Sequence, residues 1–261
     1  MPKKTTDPKS TTANDQPMSF VDHLVELRNR LMWAMIPFFT IFAVAYYFAD
    51  HLILFLAKPL EKILLEHGGR MIYTGLAEAF VTYIKVSFFA ALFFAFPFMA
   101  VQIWKFVAPG LYKQEKKAFL PFLIMTPLLF LAGAALAYYF VFPLAWEFFA
   151  TFQIPGSPET LSLQLEPKID EYLSLSMKMI FAFGLCFQLP VLLSLLAMTG
   201  FVTAVKLRQA RKYMLLAFFA VAAVLTPPDV ISQVCLAIPL ILLYEVSILL
   251  VTFYNKPKKD A

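Results

Sequence analysis

The sequence is poor in charge and in the residues that usually do chemistry: of 261 residues, 15% are charged, three are histidine and two are cysteine. The histidines, His23, His51 and His67, do not cluster on one predicted helix. No HExxH, GxSxG or glycine-rich phosphate loop is present, so an enzyme is not expected, and neither is a metal or cofactor. Cys186 and Cys235 both fall inside apolar runs and read as small buried hydrophobes, not as a disulfide or a metal site. The opening stretch "MPKKTTDPKSTTANDQP" has no apolar segment followed by a small-residue cleavage site. Its polar, Thr- and Pro-rich composition reads as a disordered tail over residues 1–18.

What the chain does have is hydrophobic residues, 61% of the total, with 29 phenylalanines. An ordinary soluble domain with a polar surface cannot be made from this composition. A bilayer core of about 30 Å needs roughly 20 apolar residues per helix. The candidate spans are Leu31 to Ala49, Ala79 to Val107, Leu120 to Phe142, Leu173 to Met198, Tyr213 to Thr226 and Ile231 to Phe253. Residues 19–254 therefore read as one all-α polytopic membrane domain of six helices, followed by a basic tail over 255–261.

An even number of spans puts both ends on one side. Arg28 and Arg30, the "YKQEKK" loop, the "KLRQARK" loop and the "KPKK" terminus all fall on that side, which the positive-inside rule makes cytoplasmic. The net charge of +5 thus has a topological origin and calls for no nucleic-acid partner. The fifth span is short: fourteen residues reach only about 21 Å. Local thinning of the bilayer is the preferred reading there, a re-entrant hairpin the alternative. The following "TPPD" predicts a sharp turn, with Asp229 capping the last helix.

Between the first two spans, "HLILFLAKPLEKILLEHGGR" has apolar residues at helical spacing interrupted by Pro59. It reads as broken amphipathic helices on the outer surface. "FQIPGSPETLSLQLEPKIDEY" is long enough to cap the same face. Pro37, Pro97, Pro127, Pro143, Pro190 and Pro239 lie inside apolar spans and are expected to kink them into curved walls.

Ionisable or strongly polar groups within the spans are few: Lys85, Glu147, Lys178, Gln188 and Glu245. Lys85 and Lys178 lie near outer helix ends, where snorkelling accounts for them. The charged groups beside the membrane are more informative. "SFVDHLVELRNRLMW" puts Phe20, Leu24, Leu27 and Leu31 on one helical face and Asp22, Glu26, Asn29 and Arg30 around the other. Glu26 and Arg30 stand at i, i+4, the spacing of a weak surface pair. The next turn on that side, "QIWKFVAPGLYKQEKK", sets Glu115 among Lys113, Lys116 and Lys117.

At these residues the chain resembles the TatC family, the signal-peptide receptor subunits of the twin-arginine protein translocase. "HLVELRNRL", "AKPL", "QIWKFVAPGLYKQEKK", "AYYFVFPLA", "FAFGLCFQLPV" and "VLTPPDVISQVCLAIPLILLYE" carry the resemblance, in family order and spacing. It implies a kinked, concave, glove-shaped bundle in the cell inner membrane. Its expected partners are twin-arginine signal peptides of folded cargo and single-span subunits of the TatA and TatB type, and its energy source is the proton-motive force. By similarity the signal site involves Glu26, Arg28, Phe106, Pro109, Leu111, Tyr112 and Glu115, and Pro59, Gln188 and Asp229 match further functional positions. Guanidinium groups make planar two-bond contacts with carboxylates, so two acids, Glu26 and Glu115, suit two adjacent arginines.

Many relatives have glutamate where this chain has Gln188. An ionising role would then be lost here, whereas a hydrogen-bonding role would survive, because an amide both donates and accepts. The last two spans, with Ala217, Ala220, Ala222 and Ala223, offer small residues on which a partner helix could dock. A secondary transporter, the competing reading, predicts a charged site at mid-membrane; the placement of the acids favours the receptor.

Overall fold

The computed structural model describes residues 20–67, 69–107, 116–153, 166–198, 200–225 and 230–254. The expected tails, 1–18 and 255–261, lie outside them, as does the "TPPD" turn. The chain is a bundle of helices: α1 (Phe20–Tyr47), α2 (Ala49–His67), α3 (Glu78–Val107), α4 (Lys116–Leu136), a π-helical turn (Ala137–Val141), α5 (Phe142–Ala150), α6 (Ile169–Cys186), α7 (Leu189–Met198), α8 (Ala204–Leu225) and α9 (Val230–Tyr254).

Among the described residues, five segments are long and apolar enough to cross a membrane: Leu24–Tyr47, Glu78–Trp104, Pro121–Ala150, Ile169–Met198 and Gln233–Phe253. The remaining expected span lies in α8, whose first half carries exposed Lys206, Arg208, Arg211 and Lys212 and so falls short on composition. Length is not its problem. Its 22 residues reach about 33 Å, because the helix begins nine residues before the apolar run and its cationic turns extend it. The chain is thus a six-span, multi-pass membrane protein of kinked helices, as its sequence predicts.

The prolines act in different ways. Pro37, Pro97, Pro127 and Pro239 sit inside continuous helices. Pro143 follows the π-helical turn, in which the Phe142 N–H reaches the Ala137 carbonyl, one residue further back than in an α-helix. Widening the turn accommodates a ring that clashes with the carbonyl four residues earlier. Pro190 divides the fourth span: α6 ends at Cys186, the chain turns at Phe187 and Gln188, and α7 resumes at Leu189.

Pro59 does not break its helix, contrary to the sequence-based expectation. α2 runs through it unbroken. A proline at 59 has no N–H for the Phe55 carbonyl, and Tyr138 supplies the missing donor, its hydroxyl bonding that oxygen at 2.6 Å. Tyr172 bonds the next carbonyl, Leu56 O, at 2.8 Å. Both phenols belong to the buried core that joins α2 to the π-helical turn and α6.

Elsewhere the bundle closes through small residues. An ideal Cβ on Gly133 of α4 would lie 2.5 Å from the Phe183 carbonyl oxygen, and one on Gly184 of α6 would lie 2.6 Å from the Phe130 ring. The two helices therefore pack closely at these glycines, backbone against the Phe183 carbonyl on one side and against the Phe130 ring on the other. α1 packs chiefly along α3, with Phe38 set against Phe88 and beside Ala91 and Ala95. At the end of the bundle away from the start of α1, the loops before α3 and α6 join through a bridge between Ile72 and Lys168, in which Ile169 N–H reaches Ile72 O at 3.1 Å.

Candidate functional site: the terminal face of α1 and α3

The first turns of α1 form because apolar and charged residues alternate at helical spacing, and the same spacing stacks Glu26 under Arg30. Arg30 Nε donates to Glu26 Oε1 at 3.0 Å, and its Nη2 contacts the same oxygen. Their side chains retain only 23% and 20% of their exposure, so this pair is more desolvated than an ordinary surface i, i+4 pair. Arg28 is exposed on the neighbouring face, its Nη2 3.4 Å from Asn29 Oδ1. Exposed Leu24, Val25, Leu27 and Leu31 surround these charges with apolar surface.

α1 and α3 run antiparallel, joined through α2 on the opposite face. The register fixed by Phe38 against Phe88 therefore sets Glu26 level with Ala100 in the second half of α3, about 9 Å along the axis from half-buried Phe106. The arrangement is a carboxylate that already holds a guanidinium, next to apolar surface, at the edge of the membrane-spanning segments. Pro109, Leu111, Tyr112 and Glu115, expected to complete the site, lie outside the described residues.

Pro59, Gln188 and Asp229 do not join this cluster. Pro59 is on α2 at the opposite face, and Asp229 lies outside the described residues. Gln188 sits at the break between α6 and α7. Its Nε2 donates to the Thr126 carbonyl of α4 at 3.0 Å, and approaches Gly184 O at 3.4 Å. Its Oε1 is buried and accepts nothing among the described residues. Thr126 in turn receives a hydrogen bond from Trp104 Nε1 on its Oγ1 at 3.1 Å, tying α3, α4 and the α6–α7 break together.

Three polar contacts had no sequence signal beyond residue type. Lys85 does not merely snorkel: its ammonium bridges both oxygens of Asp170 at 2.8 Å, and Thr82 donates to the same carboxylate at 3.2 Å. Tyr83 donates to Asp50 across α3 and α2. Glu245 of α9 pairs with Arg211 of α8 at 2.7 Å. Cys186 and Cys235 are half-buried and form no disulfide with each other. Among the described residues, no group of three or more His, Cys, Asp and Glu gathers as a metal site requires.

The chain matches the family model described as Sec-independent protein translocase protein (TatC) over residues 22–239. It is 50% identical over 234 residues to a Magnetococcus marinus protein named Sec-independent protein translocase protein TatC, covering 90% of this chain and 84% of that one. A protein of the same name from Escherichia coli strain K12 is 40% identical over 234 residues, covering 90% and 88%. A crystal structure described as the twin arginine translocase receptor TatC in DDM superposes with a TM-score of 0.76 at 37% identity, covering 88% of this chain and 99% of that one.

Proposed function

The chain belongs to the TatC family of Sec-independent protein translocase proteins, and from that premise we propose that it receives the twin-arginine signal peptides of folded cargo on the terminal face of α1 and α3. The observation that carries this reading is the partly desolvated Glu26 carboxylate, which already binds a guanidinium supplied by Arg30. A signal arginine takes the place of Arg30 on that carboxylate, one planar fork exchanging for another. Glu115 serves the second arginine, and Arg28 orients the peptide backbone. Phe106, Leu111 and Tyr112, with Pro109 shaping the loop, receive the apolar part of the signal.

In this reading the role is transport, not catalysis, and both termini face the cytoplasm of an inner membrane, consistent with the basic residues of α8 and of the terminal tails. Single-span subunits of the TatA and TatB type dock along α8 and α9, where Ala217, Ala220 and Ala223 are exposed while Ala222 is buried. The proton-motive force drives export. Gln188 and Asp229 serve partner assembly or transport, and Pro59 holds α2 in place through Tyr138.

The experiment is binding of a twin-arginine signal peptide and its twin-lysine counterpart to the detergent-purified protein and to Glu26→Gln and Glu115→Gln. Arginine-selective binding that is lost in both variants is expected. Equal binding of the two peptides, or indifference to both substitutions, would refute the two-carboxylate site.

A further inference from the structure

Lys178 is a cation in the wrong solvent. It lies nine residues into α6, about 14 Å from the start of that helix, inside the span Ile169–Met198. Its side chain is exposed and makes no hydrogen bond or ion pair among the described residues. The acids on the first turn of α6 are engaged elsewhere, Asp170 by Lys85 and Glu171 by Lys168. Glu147 on α5 is exposed and not paired with it. An ammonium at this depth needs an anion, and its side chain leans back toward the helix start, the headgroup side of that leaflet.

Beside Lys178 lies a cavity of about 330 Å³, walled by Leu56 of α2, Phe93 of α3, Leu131 of α4, Tyr139 of the π-helical turn, and Met177 and Phe181 of α6. Met177 directly precedes Lys178 and Phe181 follows it by about one turn, so Lys178 shares a helix face with Phe181 of the cavity wall. The walls are almost wholly apolar, and Tyr139 and Leu131 remain substantially exposed, so the cavity opens to hydrocarbon without any movement of the protein. A flexible acyl chain from the surrounding hydrocarbon can enter it.

We propose that Lys178 and this cavity form a binding site for an anionic phospholipid, whose phosphate meets the ammonium while one acyl chain fills the space between α2, α3, α4 and α6. A single site then satisfies both the unpaired charge and the unfilled apolar volume. The net charge of the headgroup matters because the lysine has no counter-ion among the described residues to share it with.

The test uses the full chain in nanodiscs containing a trace of phosphatidylglycerol that carries a photoactivatable diazirine at mid-chain, with phosphatidylcholine of the same chains as the control probe. After irradiation, the labelled residues are mapped by mass spectrometry. Phosphatidylglycerol is expected to label the α3 and α6 segments around Phe93 and Phe181 at least threefold more than phosphatidylcholine does. Lys178→Gln should abolish that difference and Lys178→Arg retain it. Filling the cavity with Ala135→Phe should suppress labelling, and Ala90→Leu serves should that variant fail to fold. Equal labelling by both probes, labelling spread over exposed Phe39 and Leu249 as strongly as over Phe93, or insensitivity to Lys178→Gln would overturn the site. So would a cavity that stays unlabelled in native membranes while Lys178 cross-links to a carboxylate of another protein, which would make the occupant a polypeptide.

Discussion

The Tyr138 hydroxyl donates to the Phe55 carbonyl, the acceptor that Pro59 strips of its helical partner. The two rings also stack, with centroids 4.7 Å apart and planes 4° from parallel. Tyr138→Phe keeps the stacking and removes only the donor, leaving a part-buried carbonyl short of a bond, so it should cost about 1 kcal/mol. Pro59→Ala restores the backbone N–H, and in that background the same Tyr138→Phe should cost much less. A double-mutant cycle read by thermal unfolding in detergent checks this, and additivity of the two changes would refute it.

Gly133→Ala and Gly184→Ala should each destabilise the bundle by about 1–3 kcal/mol, because the added methyl meets a backbone oxygen in one case and a packed ring in the other. Gly75→Ala is the control: its nearest neighbour would be 3.6 Å away. Chemical denaturation of all three variants gives the comparison, and equal stabilities would mean that α4 and α6 separate at little cost.

The Lys85–Asp170 pair joins α3 to α6, but the lysine retains 41% of its exposure, so solvent screens it. The coupling energy from Lys85→Met, Asp170→Asn and the double variant should be about 1 kcal/mol, and should shrink in high salt. A coupling indifferent to salt would place the pair in a drier setting than its exposure indicates.

On the exchange reading of the signal site, Arg30 competes with the incoming arginine for Glu26. Arg30→Gln removes the competitor, and twin-arginine peptide affinity should rise about two- to fivefold, corresponding to about 0.4–1 kcal/mol for the internal pair. Isothermal titration against the unaltered protein decides it; a weakened affinity would mean that Arg30 helps to build the site.

Gln188→Glu separates the two roles considered for that position. A carboxylate has no hydrogen to give the Thr126 carbonyl, whereas the protonated acid does. The variant should therefore approach the parent's stability in acid and fall below it as pH rises, read by melting temperature across a pH series. A pH-independent difference would mean that the side chain turns away from Thr126.

What was legible in the sequence was local or compositional. The helices and their number follow from apolar run lengths, and the Glu26–Arg30 contact follows from a spacing of four. What was not legible links residues far apart in the chain. Nothing around Pro59 announces that Tyr138 will mend its helix, since donor and acceptor are 83 residues apart. Lys85 looked like a snorkelling lysine because its acid is 85 residues downstream. Gly133 and Gly184 are two small residues among many until the crossing of their helices brings backbone against ring. The α8 boundary was missed for another reason: hydropathy marks where a helix is apolar, and this one starts in its cationic turns.

The dependence of α1 on α3 acquires a time dimension during synthesis. α1 ends at Tyr47 and α3 at Val107, so at 5–20 residues per second the first helix waits about 3–12 s for its mate to be made. Throughout that interval Phe38 has only lipid, or a chaperoning insertase, against the face it will later press onto Phe88, Ala91 and Ala95. The helix that carries Glu26 therefore enters the membrane before α3 and must hold its place there until its packing partner exists.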